Sequence, residues 1–323
     1  KNQSMYEFYG GVSKGVEKRT KVKTRIVANA LSELIQNADR VLVMGHKFGD
    51  LDCVGAAVGL AYAIRTIGKQ ADVVIDRDKT LAKILVDMVT GERCGNLFTA
   101  PTEALYSITE DTLLIVCDTH TVNLVESAEV YSRCKTVVVI DHHRKMVNHI
   151  DNAVIFYHEP YASSASEMVT ELIQYMGDNC RINTVVAQAL LSGIMLDTRN
   201  FVLRTGVRTF EAAAYLRRIG ADTITVRKRF SSTMDSYQRR SRIVSAAQIY
   251  KNCAVAESDF YSDDMRIVAP QAADELLGID GVDGSFVLYE KDGTISISAR
   301  SMGAINVQII MERLGGGGHI NIA

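Results

Sequence analysis

The chain has 323 residues, more than one ordinary hydrophobic core accommodates, and is 47% hydrophobic and 23% charged with three Pro and no Trp. A formal net charge of −2 supplies no global basic field, which argues against a binder of long nucleic acid. Small anionic ligands stay open, because a bound metal supplies positive charge locally. Six cysteines, at positions 53, 94, 117, 134, 180 and 253, form no CxxC pair and lie mostly in apolar stretches, the usage of a reduced, intracellular protein. No run of about 18 apolar residues occurs, so no membrane contact is expected of this stretch of chain.

Residues 1–25 carry seven Lys/Arg against two Glu and read as a solvated leader, of a kind that also suits the cytoplasmic side of a membrane anchor. From Val22 to Ile35 apolar residues recur at helical spacing. Short apolar runs at 41–44, 72–75, 112–117 and 136–140 predict buried strands, with helices at 53–67, 163–176, 183–199, 207–219 and 223–250. Strands alternating with helices predict an α/β fold: a parallel sheet with helices on both faces. Beyond it, strands are expected at 253–257, 265–268, 283–290 and 294–299, and helices near 270–277 and 305–313, a smaller mixed α/β C-terminal domain. The basic residues Arg227, Lys228, Arg229, Arg239, Arg240 and Arg242 suit a solvated helical linker between the two. The expected divisions are a leader and helix at 1–38, a catalytic domain at 39–230, the linker at 231–250 and a substrate-binding domain at 251–323.

Acidic and histidine residues collect at four places. The strand at 41–44 runs into Gly45-His46-Lys47-Phe48-Gly49-Asp50-Leu51-Asp52, the next ends at Asp118-Thr119-His120, and the third at Asp141-His142-His143. In an open parallel sheet ligands bind outside the carboxyl ends of the strands, so three motifs at three strand ends converge on one crevice. The fourth is Asp197, which closes a mostly apolar helix where a carboxylate is costly unless paired or bound to metal. An Asp after a strand is often only a turn former or helix cap. Five of the seven histidines, however, lie in or beside these motifs or the Gly315–Gly318 run, a clustering that independent turn chemistry does not predict.

Asp50, Asp52, Asp118 and Asp197 bring four negative charges, the balance for two divalent cations, with His46 and His142 as neutral ligands and one Asp as bridge. Mixed carboxylate and imidazole donors suit Mn²⁺, and less distinctively Fe²⁺, Co²⁺ or Zn²⁺. Two such ions about 4 Å apart clamp a phosphate and generate hydroxide, the chemistry of a phosphoester hydrolase. Gly315-Gly316-Gly317-Gly318-His319 allows close backbone approach to an anion without being a Walker A loop, and Arg300, between Ser298 and Ser301, is a candidate phosphate clamp.

These motifs, in this order, resemble the DHH phosphoesterase superfamily in the branch carrying a DHH-associated C-terminal domain. Within it they are similar to the catalytic portion of the GdpP-type cyclic di-AMP phosphodiesterases. The resemblance implies His46, Asp50 and Asp118 on one Mn²⁺ and Asp52, Asp118, His142 and Asp197 on the other, Asp118 bridging. It places His143 near the scissile phosphate. Asp141 and His120 join His143 as the expected catalytic residues, Asp141 by orienting His142 from the strand end behind the two histidines. Ser298, Arg300, Ser301, Gly317, Gly318 and His319 would bind the nucleotide. Many relatives carry Pro where this chain has Gly49, which loosens the loop without removing a ligand. The implied reaction is in-line attack of a metal-bridging hydroxide on cyclic di-AMP to give linear 5′-pApA. The implied setting is a homodimer on the cytoplasmic side of the membrane that anchors the parent protein. The rivals are a nanoRNase or pAp phosphatase acting on short linear nucleotides, and a nucleotide-sensing module that binds without hydrolysis.

Overall fold

The computed structural model describes residues 20–92, 94–146, 148–229, 233–318 and 322–323. The basic leader before Thr20 and His319 lie outside the described residues. The chain divides into two compact units, Lys1–Phe230 and Ser231–Ala323.

In the first unit α1 (Lys21–Asn37) precedes β1 (Arg40–Met44), α2 (Leu51–Thr66), β2 (Ala71–Val74), α3 (Lys83–Gly91), β3 (Phe98–Thr99) and α4 (Pro101–Ser107). Then follow β4 (Thr112–Cys117), α5 (Ala128–Arg133), β5 (Thr136–Asp141), β6 (Ile155–His158), α6 (Ala165–Ile173), α7 (Thr184–Asp197), α8 (Val207–Ile219) and α9 (Thr223–Arg229). The six strands pair in parallel in the order β3-β2-β1-β4-β5-β6. Successive side chains of a strand face opposite ways, and both faces are covered. Val41, Val43, Leu113, Ile115, Val138 and Ile140 join one core with α2, α6 and α7. Leu42, Met44, Leu114, Val116, Val137 and Val139 join the other with residues of α4 and α5. The order reverses between β1 and β4, and a crevice opens at the carboxyl ends of the strands at such a switch point.

Helices α2 and α7 lie unusually close. A Cβ on Gly55 would stand 2.6 Å from the Ala189 carbonyl oxygen, and one on Gly193 would stand 2.8 Å from the Asp52 Cα. Only glycine permits this approach, which brings the start of α2 against α7.

The second unit contains α10 (Met234–Ser245), β7 (Gln248–Tyr250), β8 (Cys253–Glu257), α11 (Met265–Leu276), β9 (Gly284–Lys291), β10 (Thr294–Ser301) and α12 (Val307–Arg313). Its four-stranded sheet has the order β10-β9-β8-β7, antiparallel except where β8 meets β9. Three expectations are corrected. Residues 265–268 are the first turn of α11, not a strand: Met265, Val268, Ala269, Ala272, Ala273 and Leu276 make a buried helical stripe, and Pro270 sits inside the helix rather than opening it. Residues 223–250 are not one helix but α9, α10 and β7. Nor do the described residues of the expected linker, 233–250, run as a solvated helix: Ile243 is buried in the second core, and Arg239 and Arg240 pair with Asp264 and Glu275 at 2.8 and 2.9 Å.

Candidate metal centre

Asp50 is the N-cap of α2, its Oδ1 accepting from the backbone N–H groups of Asp52 and Cys53 at 3.0 Å each. One turn of helix thereby turns the second acid inward. Asp52 is buried and its two oxygens accept from Ala165 N (2.7 Å) and Ser166 N (2.8 Å), the first N–H groups of α6. The partial positive end of that helix offsets the carboxylate's burial. Ser164 caps α6, taking the N–H of Glu167, and this Ser-x-x-Glu start was a legible signal for a helix terminus that the sequence reading did not connect to the site.

Asp118 follows β4 with φ at +61°, a left-handed conformation that Asp tolerates better than most residues, held by its N–H donating to the Ile140 carbonyl at 2.9 Å. His46 donates through Nδ1 to the Lys47 carbonyl at 2.8 Å, which leaves Nε2 as the lone-pair nitrogen, 3.5 Å from Asp118 Oδ2. The Nε2 of buried His142 faces three carboxylates, at 3.2 Å from Asp197 Oδ2, 3.3 Å from Asp118 Oδ1 and 3.7 Å from Asp52 Oδ2. Asp197 is the last residue of α7.

Three overlapping groups could each hold an ion: Asp52, His142 and Asp197; Asp118, His142 and His143; and His46, Cys53 and Asp118. Among the described residues, Asp118 Oδ1 and both ring nitrogens of His142 are buried without a hydrogen-bond partner, which is costly for groups of this polarity. A cation between Asp118 Oδ1 and His142 Nε2, which lie 3.3 Å apart, satisfies those two at once. The oxygen and nitrogen donors fit a divalent transition metal of the Mn²⁺ to Zn²⁺ series.

The electrostatics point the same way. Burial, then the charges of Asp118 and Asp197, push Asp50 up to about 6, and burial with the same neighbours raises Asp52 further. Burial opposes ionisation of Asp118, yet His142 and His46 outweigh it and hold its carboxyl well below the ordinary range. Burial likewise opposes charging of His142, yet Asp118 and Asp197 raise its pKa well above the usual value.

Asp141 is not the partner of His142 that its place at the strand end suggested. Its Oδ1 accepts from the backbone N–H of His143 at 3.1 Å and from that ring's Nδ1 at 2.8 Å, and its Oδ2 takes Nδ1–H of His120. Nε2 of His120 in turn accepts the Met146 N–H at 2.9 Å. His120 is therefore buried behind the site, bracing Asp141 and the following loop, and is absent from the three ion-holding groups. His143 is a third exposed and stands 3.5 Å from Asp118.

In the second unit Ser298 and Arg300 share one face of β10. Arg300 donates through Nε to Asp274 at 2.7 Å and through a terminal nitrogen to the Ala299 and Ala323 carbonyls at 2.9 and 3.3 Å. Ser301 is buried on the opposite face, its hydroxyl accepting from Gly303 N and Ile305 N at 3.0 and 3.2 Å, so it shapes a turn and does not accompany Arg300. Gly317 and Gly318 follow α12, and Gly318, at φ +148°, packs so closely that a Cβ would come 2.4 Å from Ala323.

With that geometry the known proteins agree. The model described as the DHH family, N-terminal domain, matches residues 40–194, and the DHHA1 domain matches residues 253–323. The chain is 44% identical over 322 residues to the cyclic-di-AMP phosphodiesterase GdpP of Geobacillus thermodenitrificans, covering 98% of this chain and 49% of that protein. It is 43% identical to the cyclic-di-AMP phosphodiesterase PdeA of Listeria monocytogenes, again over 98% of this chain and 49% of that one. The chain thus spans about half the length of these curated relatives. A bifunctional oligoribonuclease and PAP phosphatase NrnA of Thermus thermophilus is 26% identical, covering 93% of this chain and 87% of that protein. An exopolyphosphatase-related protein of Bacteroides fragilis shares the fold, with a TM-score of 0.78 at 19% identity over 92% of this chain and 90% of that one.

Proposed function

The chain belongs to the DHH family, and from that premise we propose that it is a metal-dependent phosphodiesterase that opens cyclic di-AMP to linear 5′-pApA. The observation that carries this reading is the convergence of Asp52, Asp118 and Asp197, from three separate elements, on the single Nε2 of His142. His46, Asp50 and Asp118 would hold one ion and Asp52, Asp118, His142 and Asp197 the other, with Mn²⁺ the expected metal at both. Bound there, such ions supply charge for the phosphate oxygens and acidify water for in-line attack.

The remaining work falls to the protein's own groups. Asp141 fixes Nδ1–H of His143, which directs Nε2 of that ring outward, the position of a proton donor to the departing 3′ oxygen. His120 keeps Asp141 from turning away. In the second unit, Arg300 and Ser298, with Gly317, Gly318 and His319, would bind the nucleotide; Asp274 holds the guanidinium by Nε. The two relatives at 43–44% identity bear cyclic-di-AMP phosphodiesterase names, and this supports the cyclic substrate over the short linear ones of the relative at 26%. All four Asp ligands are intact, which counts against a module that only senses nucleotide.

Purified protein is incubated with Mn²⁺ and, in parallel, cyclic di-AMP, pApA, pAp and pyrophosphate. Conversion of cyclic di-AMP to pApA at the highest kcat/KM is expected, and no turnover by the Asp118→Ala or His142→Ala variants. Preferential cleavage of pAp or pyrophosphate, or Mn²⁺-dependent activity in either variant, would sink the assignment.

A further inference from the structure

Beside the ligand-bearing loop lies a cavity of about 890 Å³, at the carboxyl ends of β2 and β3 in the first unit. One wall is the loop itself, through Lys47 and Phe48; the others are residues 75–79, which follow β2, residues between Asn96 and Glu103, and Glu126 with Ser127. The walls are joined, because the Gly49 carbonyl accepts from Thr80 Oγ1 at 2.8 Å, Leu81 N at 3.0 Å and Ala82 N at 3.2 Å. Whatever occupies the cavity therefore touches the segment between His46 and Asp50.

Its chemistry is specific. Phe48 holds a φ of +58°, a conformation bulky residues avoid, and keeps its ring 45% exposed. Strain of this kind persists where the surroundings fix it, and it concentrates at ligand sites. In the same lining the Arg77 guanidinium lies over the buried Phe98 ring at 5.2 Å, and Arg77 itself is exposed, so it offers a flat cationic face. The rim carries three cationic side chains against four carboxylates, and Lys79 is already paired with Asp76 at 2.6 Å. No phosphate site is built with that balance. Two flat faces, hydrogen-bond acceptors at the rim and room for a nucleoside match a neutral purine that carries an amino group.

We propose that this cavity is a base-recognition subsite of the first unit, taking an aminopurine nucleoside between Phe48 and Arg77. The proposal rests on the phosphodiesterase reading only in that the base would belong to the substrate. Phe48 then reports base occupancy directly to the ligand loop, since it lies between two of that loop's proposed ligands.

Calorimetric binding of AMP and of ribose 5-phosphate to the full chain with Mn²⁺ tests it without relying on turnover. Wild type is expected to bind AMP more tightly than ribose 5-phosphate. Phe48→Gly, which also relieves the positive φ, is expected to weaken AMP about ten-fold, the loss of one stacked base, and to leave ribose 5-phosphate unchanged. Arg77→Ala should do the same in part, and Phe48→Tyr should restore AMP affinity. Equal affinity of wild type for the two ligands, no binding of either, or equal weakening of both in Phe48→Gly overturns the subsite. Cyclic di-AMP hydrolysis by wild type is scored separately, so the subsite and the catalytic reading can fail independently.

Discussion

Replacing Gly193 with alanine should perturb the candidate metal centre without substituting any of its proposed ligands. The added Cβ would stand 2.2 Å from Ser166 Oγ, 2.6 Å from Asp52 Oδ1 and 2.8 Å from Asp52 Cα. Rotation of Ser166 relieves the first contact; the last is backbone and cannot rotate away. The two helices cannot separate freely either, since Gly59 is packed against Leu190 a little further along. Overpacking of this kind costs about 1–3 kcal/mol, and alanine returns about 1 kcal/mol of helix propensity. The net destabilisation is at most about 2 kcal/mol, a fall in Tm of up to about 8 °C for a unit of this size. Displacing Asp52 by a few tenths of an ångström also moves an oxygen aimed at the ions, so the variant should lose more in Mn²⁺ than in chelator. Thermal melts in both conditions, with calorimetric Mn²⁺ titration, measure the two parts. Gly91→Ala is the control: it ends α3 with nothing within 4 Å of the added Cβ, and should be neutral or slightly stabilising. A Gly193→Ala protein as stable as wild type, binding Mn²⁺ as tightly, would refute the close-approach argument.

Stability of the chelated protein should fall as pH rises from about 4 to 8. Asp50 is raised from 3.8 to about 6 and Asp52 shifts the same way, so their contribution is full below 3.8 and lost as pH climbs through the raised values. His46 and His142, raised above 6.5, extend the decline upward, whereas the lowered Asp118 contributes fully above 3.8 and is lost only below that window. Saturating Mn²⁺ should remove the slope; a flat or rising profile in chelator contradicts the assignment. Asp141→Asn should cut turnover about ten- to a hundred-fold while Mn²⁺ affinity holds, because its partners are His120 and His143; a matching drop in Mn²⁺ affinity would return it to His142. Arg300→Ala should raise KM for the nucleotide more than it lowers kcat, and leave Mn²⁺ binding calorimetry unchanged; an unchanged KM would remove Arg300 from the substrate site.

The strands that carry the site were legible because each is a bare apolar run ending at a polar motif. Residues 41–44 and 112–117 fall within β1 and β4, and 136–140 needed only Asp141 added to make β5. The edges were not legible. β3 is two residues long, and β6 is a four-residue strand that is only partly buried, so neither shows the continuous apolar run of a central strand. In the second unit the Met265–Val268 run was as apolar as a strand, and its helical stripe becomes visible only when followed past Pro270. The tertiary contacts that tune the site leave even less trace. That Asp52 caps α6, and that Gly193 is there to let Asp52 in, depends on pairings more than a hundred residues apart.

The motif Asp141-His142-His143 shows what such a string conceals. Three consecutive polar residues suggest one function, yet they stand where a strand ends and successive side chains diverge. Asp141 is fully buried and faces His120, behind the crevice; His142 is buried among Asp52, Asp118 and Asp197; His143 is a third exposed at the front. The carboxylate skips its neighbour and grips the next residue twice, by backbone and by ring, which a tight turn after β5 makes the shorter reach. The separation follows from strand geometry: Asp141 anchors from behind, His142 turns to the three carboxylates, and His143 stands part-exposed at the front, the place a substrate-facing residue would need.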